Sequence, residues 1–559
     1  MASSLVHLPN HTLIRNTISL IKTHSSNKSN LIQFHAQLLR SYLILDTFVC
    51  NTILKAYMQT ISPSKTLTFY KHMRSLGVPG NSFSSSFALN SCIKISSLCI
   101  GQQLHGRIVQ DGHQSDSVLF TSLMSLYSLC RELDSVRTVF DDMPNKDTVT
   151  WNVLISSFAC NNRTKDALLL FDAMQSPEYG LKPDAITCLL LLQACAHLGA
   201  LNFGERMHKY VEEHGFGNLL NIRNSLIVMY SKSGAMEKAY RVFRDMSERN
   251  VVTWSSIISG LAMNGYGREA ISAFKEMHRE GVAPDEQTFT GVLSACSHCG
   301  LVDEGISFLF DAMRFDYKLT PNVCHYGCMV DLFGRAGLLD HAYNFIVSEM
   351  VVQPDVTIWR TLLGACRIHR YVELSERVME HLIESKAQQA GDYVLLLNIY
   401  ASVGHWNKVA EVRGLMKEKG IQTSRGCTTM ELNGRIHEFV ADDDSHPRKA
   451  EIYGMLDEIG KQLKMAGYVA NMSSELHDLD EEEKTDVLFY HSEKIALAFG
   501  ILATAPGRTL RIAKNLRICV DCHDFTKVFS SVYGRMVIVR DRNRFHHFRD
   551  GSCSCNEYW

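Results

Sequence analysis

The chain has 559 residues, too long for a single hydrophobic core, so we expect several domains or an array of repeats. Its formal charge of −2 excludes the nucleic-acid-binding proteins that hold phosphates through a large excess of positive charge. No apolar run approaches the ~20 residues of a membrane-spanning helix, so we expect no membrane partner.

The N-terminus has the composition of an organellar targeting sequence. No Asp or Glu precedes Asp46, whereas Arg15, Lys22, Lys28 and many serines do, and acid-poor, serine-rich N-termini are typical of transit peptides. From about residue 17 the chain already has the pattern of helical repeats. We therefore predict a short leader at residues 1–16 and a location in the mitochondrion or the plastid, with the mitochondrion slightly favoured.

Helix-forming units recur along much of the chain. One pattern pairs Asn-x-Leu-Ile with a later Ala-x3-Phe-x2-Met, as in residues 152–155 and 167–174 and again in residues 224–227 and 239–246. Each unit fits two amphipathic helices joined by a short polar turn, and such a hairpin buries its apolar stripe only when neighbouring copies stack on it. The pattern predicts an all-α solenoid over residues 17–354.

A recurring Asp or Asn marks the start of most units and shows that their spacing is uneven. By subtraction, successive intervals are 35, 35, 31, 37, 35, 31, 35, 37 and 33 residues, with a short unit at every third step. Tetratricopeptide arrays keep a period of 34 residues without this shortening. The unit starts are Asp46, Asn81, Asp116, Asp147, Asp184, Leu219, Asn250, Asp285, Asn322 and Asp355.

The C-terminal segment contains a group of residues typical of a catalytic zinc site. His491-Ser-Glu493 is followed by Cys519 and Cys522 in a Cys-x2-Cys pair. One imidazole and two thiolates supply three zinc ligands and leave a fourth position for water, while Glu493, which is not a ligand, can move protons. His-x-Glu followed by Cys-x2-Cys is the signature of the zinc nucleobase deaminases.

A second group of potential ligands follows: His523, either His546 or His547, Cys553 and Cys555. Four protein ligands without an open position are typical of a structural zinc, and the spacing alone does not distinguish the two neighbouring histidines. We therefore expect two zinc ions per chain. Because His-x-Glu is short enough to arise by chance, a purely structural, RING-like use of both sites is the alternative interpretation.

The triplet of unequal repeats resembles the P, L and S motifs of plant pentatricopeptide repeat (PPR) proteins. Residues 355–421 resemble the extension (E) motifs of that family and include its opening segment, Trp359-Arg-Thr-Leu-Leu-Gly-Ala-Cys366. Residues 422–559 resemble the DYW domain that ends many members. The resemblance covers nearly the whole chain after residue 17.

The resemblance implies properties that the spacing does not establish. The C-terminal domain should have the α/β fold of a zinc cytidine deaminase, and His546 rather than His547 should be the ligand. The chain also departs from the family. Glu557 stands where the terminal Asp-Tyr-Trp has Asp, and Arg425-Gly426 and Cys427-Thr-Thr-Met430 stand where Pro-Gly and Trp are expected.

In the PPR family one repeat faces one RNA base. The resemblance implies that the sixth residue of a unit and the first residue of the next, here called a reader pair, recognise the base together. The alternative is that these Asp and Asn residues are only helix caps. The predicted reader pairs are Asn51 with Asn81, Thr121 with Asp147, Asn152 with Asp184, Asn224 with Asn250 and Ser255 with Asp285. A weaker contribution is expected from the L units, including Thr290 with Asn322, and the last S unit, with Gly327 and Asp355, departs from the usual amide or hydroxyl.

The family's code gives these pairs a footprint on RNA. If the last S unit lies four nucleotides upstream of the target, the expected bases are a pyrimidine at −12, G at −10, U at −9, a pyrimidine at −7 and G at −6. The resemblance thus predicts a site-specific organellar RNA editing factor that converts cytidine to uridine. The array would bind single-stranded RNA, and the DYW domain would deaminate the target by attack of zinc-bound hydroxide at C4, with Glu493 transferring the proton.

Accessory organellar editing factors are candidate partners, and DNA is not expected. Three alternatives stay open. The chain could be an RNA-binding specificity factor whose inactive DYW domain recruits another deaminase. It could be an RNA processing or stability factor, such as a nuclease, or a purely protein-binding solenoid.

Overall fold

The computed structural model describes residues 11–24, 28–41, 43–60, 62–385, 388–423, 425–432, 434–441, 443, 445–471 and 488–558. Residues 1–10 of the predicted leader lie outside the described residues, and its last residues belong to a helix that begins at His11. The chain forms two compact parts, Met1–Ala194 and Cys195–Trp559. They are called the first unit and the second unit below, as distinct from the single repeat units. Within the described residues no helix is both long and apolar enough to cross a membrane.

The first unit consists of successive α-helical hairpins. Its helices are α1 (His11–His24), α2 (Lys28–Arg40), α3 (Thr47–Thr60), α4 (Pro63–Ser75), α5 (Ser82–Ile95), α6 (Leu98–Gln110), α7 (Ser117–Leu129), α8 (Leu133–Asp142), α9 (Thr148–Cys160), α10 (Thr164–Met174) and α11 (Ala185–Leu198), which continues into the second unit; a short 3-10 helix, Leu43–Leu45, precedes α3. The first helix of one hairpin packs on the first helix of the next, so that α3 contacts α5, α5 contacts α7 and α7 contacts α9. Apolar residues on this face, such as Leu154 and Ile155, are fully buried.

The second unit begins with the same kind of hairpin. Its helices are α12 (Leu201–Glu213), α13 (Leu220–Ser231), α14 (Met236–Arg244), α15 (Val251–Met263), α16 (Gly267–Arg279), α17 (Glu286–Cys299), α18 (Asp311–Phe315), α19 (Val323–Arg335), α20 (Leu339–Asn344), α21 (Val356–His369), α22 (Val372–Glu384), α23 (Ala390–Ser402) and α24 (Trp406–Glu418); π-helical segments at Glu304–Phe310 and Phe345–Glu349 adjoin α18 and α20. Here α13 packs on α15, α15 on α17, and the series continues through α23. The predicted helical-repeat solenoid is confirmed.

The Asp or Asn at a unit start caps the first helix of that unit. Asp147, for example, accepts the backbone N–H of Thr150 at 2.8 Å, which satisfies a donor that the helix itself leaves without a partner. These residues are therefore helix caps, which does not exclude a second role in recognition. The same capping is made by Asn81, Asp116, Asn250, Asp285, Asn322 and Asp355.

The C-terminal part of the second unit is an α/β domain, as predicted. Its strands are β1 (Cys427–Leu432), β2 (Arg435–Val440), β3 (Leu510–Lys514), β4 (Val537–Arg540), β5 (Phe545–Arg549) and β6 (Ser552–Cys553), and its helices are α25 (Lys449–Met465), α26 (Ser492–Ala503) and α27 (Val520–Val532). The strands form one sheet in the order β2-β1-β3-β4-β5-β6, in which only β3 and β4 are parallel. Because α27 connects those two strands, its first turn lies near the C-terminal end of β3.

Candidate active site and RNA-facing residues

Three potential zinc ligands meet where two helices begin. His491 precedes α26, Cys519 precedes α27, and Cys522 lies in the first turn of α27. The Nδ1 atom of His491 lies 3.5 Å from Sγ of Cys519 and 3.4 Å from Sγ of Cys522. A tetrahedral zinc with a Zn–S bond of about 2.3 Å and a Zn–N bond of about 2.05 Å separates N and S ligand atoms by ~3.5 Å. The three donor atoms therefore fit a zinc ion.

The Cys519 side chain is suited to bind metal as a thiolate. Its Sγ accepts the backbone N–H of Cys522 at 3.3 Å. The side-chain hydrogen bond from Cys522 lowers the pKa of Cys519 to about 5; burial opposes this shift and His491 reinforces it. The position at the N-terminus of α27 also favours the thiolate.

Glu493 lies in the first turn of α26, and only 2% of its surface is exposed. Its Oε2 atom accepts hydrogen bonds from Nζ of Lys514 at 2.7 Å and from Oγ of Ser492 at 3.1 Å. Burial raises the pKa of Glu493, but the charge and the hydrogen bond of Lys514 outweigh burial, so the pKa lies below its usual value. The carboxylate is therefore ionised and able to accept a proton.

Lys514, which the sequence analysis missed, is a further residue of this site. It is the last residue of β3, and its Nζ also donates to Oγ of Ser492 at 2.7 Å. Thr428 of β1 forms a hydrogen bond with the same hydroxyl at 2.9 Å. No motif joins Lys514 to Glu493. The packing of α26 on β1 and β3 brings the two side chains together.

Four further ligand side chains converge between α27 and the β5–β6 edge of the sheet. Nε2 of His523 lies 3.2 Å from Sγ of Cys555, and Nδ1 of His546 lies 3.6 Å from Sγ of Cys553. All four are buried, and their ligand atoms lie within 4.8 Å of one another, which fits a closed tetrahedral zinc site. Nε2 of His546 lies 3.6 Å from Oδ2 of Asp541, an arrangement that orients metal-binding histidines.

His546 and His547 are consecutive residues of β5, and their side chains have different surroundings. Successive side chains of a strand point to opposite faces, and Nε2 of His547 forms a hydrogen bond with Oδ1 of Asn264, just after α15, at 3.1 Å. The structure therefore brings His546 to the ligand set and His547 to the helical repeats of the second unit.

A buried ion pair joins the two helices whose N-terminal ends carry the three potential zinc ligands. Nζ of Lys494 in α26 lies 2.6 Å from Oδ2 of Asp521 in α27, and the side chains are 1% and 0% exposed. Oδ1 of Asp521 also accepts the hydroxyl of Tyr468 and, at 2.9 Å, the backbone N–H of Asn471. This pair, here called the helix clamp, fixes the positions of His491 and Glu493 relative to Cys519 and Cys522.

The α/β domain packs against the turns of four successive hairpins in the second unit. Each turn contains a glycine with a φ between +68° and +85°, namely Gly199, Gly234, Gly265 and Gly300. A Cβ atom at Gly234 would lie 2.8 Å from Cγ2 of Ile538, and one at Gly300 would lie 3.0 Å from Cζ of Tyr558. The left-handed turn favours glycine at all four positions, and at Gly234 and Gly300 the close approach of the domain also leaves no room for a Cβ atom.

Polar contacts reinforce this seam between the domain and the turns. Nη1 of Arg540 donates to the carbonyl oxygen of His197 at 2.8 Å. The carboxylate of Glu431 accepts the backbone N–H groups of Asn202 and Phe203 at 3.1 and 3.2 Å, at the start of α12. These contacts fix the α/β domain on the repeats of the second unit.

Three predicted reader pairs are joined by a direct side-chain hydrogen bond. In each, the sixth residue of a unit donates to Oδ1 of the first residue of the next. The distances are 3.0 Å for Asn51 with Asn81, 3.1 Å for Asn152 with Asp184 and 3.3 Å for Ser255 with Asp285.

The other predicted readers have different partners. The Thr121 and Thr290 hydroxyls each donate to a carbonyl oxygen of their own helix at 2.9 Å, and Nδ2 of Asn322 donates to Oε2 of Glu286 at 2.9 Å. Asn224 is linked to Asn250 through Thr253, which hydrogen-bonds both. Space is open beside Gly327, and Asp355 caps α21.

Exposed apolar side chains, which the sequence analysis missed, recur near the readers at one position of the repeat unit. In six units the third residue is apolar and 51–72% exposed, although most apolar residues of these helices are buried. The third and sixth residues share one face of a helix, so each apolar side chain lies beside a reader. Their recurrence at a fixed position was the available signal. The six residues are Phe48, Phe83, Val118, Val149, Ile186 and Val252.

Comparison with known proteins assigns the chain to a family. Residues 467–559 match the "DYW family of nucleic acid deaminases", residues 369–431 match the E motif, and residues 118–147, 146–197, 222–251, 249–298 and 287–316 match PPR repeats. The pentatricopeptide repeat-containing protein At3g47530 of Arabidopsis thaliana is 58% identical over 514 residues, covering 91% of this chain and 87% of its own. The chain belongs to the PPR family.

Two other comparisons are with PPR proteins that are less similar to this chain. The chloroplastic pentatricopeptide repeat-containing protein At1g08070 of Arabidopsis thaliana is 44% identical over 84% of this chain and 63% of its own. The crystal structure of PPR10 from maize is 15% identical and covers 73% of this chain and 74% of its own, with a TM-score of 0.37. The family matches identify the chain as a PPR protein with an E motif and a DYW deaminase domain.

Proposed function

We propose that this PPR protein is a site-specific RNA editing factor that converts cytidine to uridine in organellar transcripts. The observation that carries the proposal is the buried, ionised Glu493 beside three ligand atoms that fit zinc. The match to the family of nucleic acid deaminases supports the same chemistry. Deamination consumes water and releases ammonia, so the site must move protons as well as bind the base.

His491, Cys519 and Cys522 would hold the catalytic zinc, which when bound acts as a Lewis acid that makes water nucleophilic near neutral pH. Glu493 would accept a proton from the attacking water and transfer it to the departing amino group. Lys514 keeps Glu493 ionised and holds its Oε2 in a fixed place. His523, His546, Cys553 and Cys555 would hold a second, structural zinc.

The repeat array would select the site. The reader residues would hydrogen-bond base edges, while the exposed apolar third residues would pack on base faces, which every base offers. We take residues 17–354 as the array, 355–421 as the E region and 422–559 as the catalytic domain. Single-stranded RNA is the expected ligand because its bases are open to both kinds of contact.

Organellar targeting remains part of the proposal. The acid-poor, serine-rich N-terminus supports a leader at residues 1–16, and one relative is named chloroplastic. Both the mitochondrion and the plastid should therefore be examined.

The test is sequencing of both organelle transcriptomes with the protein present, absent or replaced by Glu493→Ala. Loss of conversion at one or a few cytidines, preceded by the predicted footprint, would support the proposal when both the deletion and Glu493→Ala cause it. Editing that survives Glu493→Ala would refute catalysis by this chain and favour recruitment of another deaminase. Unchanged editing with altered transcript ends would favour RNA processing instead.

A further inference from the structure

A threonine in the fourth position of a unit contacts the reader of the preceding unit. The hydroxyl of Thr187 donates to Oδ1 of Asn152, and Thr253 makes the equivalent contact with Asn224. Thr288 hydrogen-bonds the hydroxyl of Ser255, and either hydroxyl can be the donor. All three threonines are completely buried, so their hydroxyls must be hydrogen-bonded within the protein. The distances are 2.7 Å for Thr187 with Asn152, 2.8 Å for Thr253 with Asn224 and 2.7 Å for Thr288 with Ser255.

The Asn152 side chain shows what this contact does. A carboxylate only accepts hydrogen bonds, so Asp184 fixes the Nδ2 end of the Asn152 amide. The hydroxyl of Thr187 then meets the opposite end, Oδ1. An amide held at both ends cannot rotate, and it still offers one N–H and one lone pair to a base.

The first predicted reader provides a contrast within the chain. Nδ2 of Asn51 donates to Asn81 in the same way, but Ser84 occupies the fourth position of the following unit. The Ser84 hydroxyl is directed to Asn81, and Oδ1 of Asn51 is buried without a hydrogen-bond partner. This amide is held at one end only.

We propose that Thr187, Thr253 and Thr288 are positioning residues for base recognition, each orienting the reader of the preceding unit. The proposal rests on the proposed function, because it requires that the readers face RNA. It adds a third residue to three of the reader pairs. The hydroxyl acts before RNA arrives, since fixing the amide reduces the ordering needed on binding.

A capping role alone is the competing explanation, because Oγ1 of Thr187 also lies 2.9 Å from Oδ1 of its cap residue Asp184. Thr150 provides the matched control. It is equally buried, and its hydroxyl contacts its own cap residue Asp147 at 2.7 Å. It lies on α9, the helix that carries Asn152, whereas the preceding reader, Thr121, hydrogen-bonds within its own helix.

The experiment compares full-length wild type, Thr187→Val and Thr150→Val by fluorescence anisotropy. The probes are short single-stranded RNAs that carry the predicted footprint with U or C at −9. We expect Thr187→Val to reduce the preference for U by about two- to tenfold, the factor that corresponds to one net hydrogen bond. Thr150→Val should leave this preference unchanged, and melting temperatures should report the shared loss of capping. Thr253→Val, read at −7, gives an independent measurement if Thr187→Val folds poorly.

The outcomes separate the explanations. Loss of discrimination at −9 in Thr187→Val alone supports the positioning role. An equal loss in both variants, or no loss in either, overturns it and leaves RNA reading by Asn152 intact. A wild-type protein that distinguishes no base anywhere in the footprint would overturn the proposed function together with this inference.

Discussion

Replacing Lys494 by methionine would remove one half of the helix clamp and leave the Asp521 carboxylate buried. Breaking a buried ion pair on one side costs ~3–5 kcal/mol because the remaining charge has lost its partner. Asp521 keeps the hydrogen bonds from Tyr468 and Asn471, so we expect about 3 kcal/mol. That corresponds to a roughly 10²-fold increase in the population in which α26 and α27 separate.

Hydrogen exchange of the zinc-loaded, full-length protein measures this population directly, because amides of α26 and α27 exchange when the helices open. Lys494→Met should accelerate their exchange by roughly 10²-fold. The double variant Lys494→Met, Asp521→Asn should recover much of the protection, because the amide is neutral and still accepts hydrogen bonds. Arg448→Met, which breaks an exposed ion pair with Glu451 at the start of α25, should change nothing measurable. Unchanged exchange in Lys494→Met, or a double variant as unprotected as the single one, would refute the clamp.

Three further predictions concern the metal sites, the RNA surface and the seam. Native mass spectrometry should find two zinc ions in the full-length protein and one in His491→Ala; two ions in that variant would contradict the ligand assignment. Phe83→Ala should weaken RNA binding by about tenfold, from lost stacking worth ~1–3 kcal/mol. Leu169 is equally exposed but lies on α10, so Leu169→Ala should leave RNA affinity unchanged. Equal losses of affinity in Phe83→Ala and Leu169→Ala would refute a specific role of the exposed third residues. Gly234→Ala should accelerate hydrogen exchange in β4 and β5, whereas Gly404→Ala, strained alike but with open space around it, should not.

The solenoid was predictable because its signal is repeated. Ten unit starts at similar spacing outweigh irregularities such as Leu219, which offers no side-chain cap. The ligand sets were predictable because zinc restricts both the residue type and the spacing of its ligands. His491, Cys519 and Cys522 could therefore be grouped without knowledge of the fold.

Other parts of the site depend on tertiary packing that leaves no local pattern. Lys514 reaches Glu493 because α26 packs on β3, and Lys494 reaches Asp521 because α26 packs beside α27. Each is a single charged residue at an unremarkable position in the sequence. The contact of Thr187 with Asn152 also depends on tertiary structure, because the two residues lie 35 positions apart and meet only when adjacent repeats stack.

The glycine turns have a consequence for redesign of this protein. The left-handed turn position is occupied by Ser96, Arg131 and Asn162 in three hairpins of the first unit, so glycine is not obligatory for the turn itself. In the hairpins that carry the α/β domain, a transplanted repeat must bring a compatible turn as well as the desired reader. Retargeting by exchange of modules must therefore meet two requirements, the proposed recognition of a base and a turn that accommodates the α/β domain. Modules chosen by recognition code alone would fail at the second.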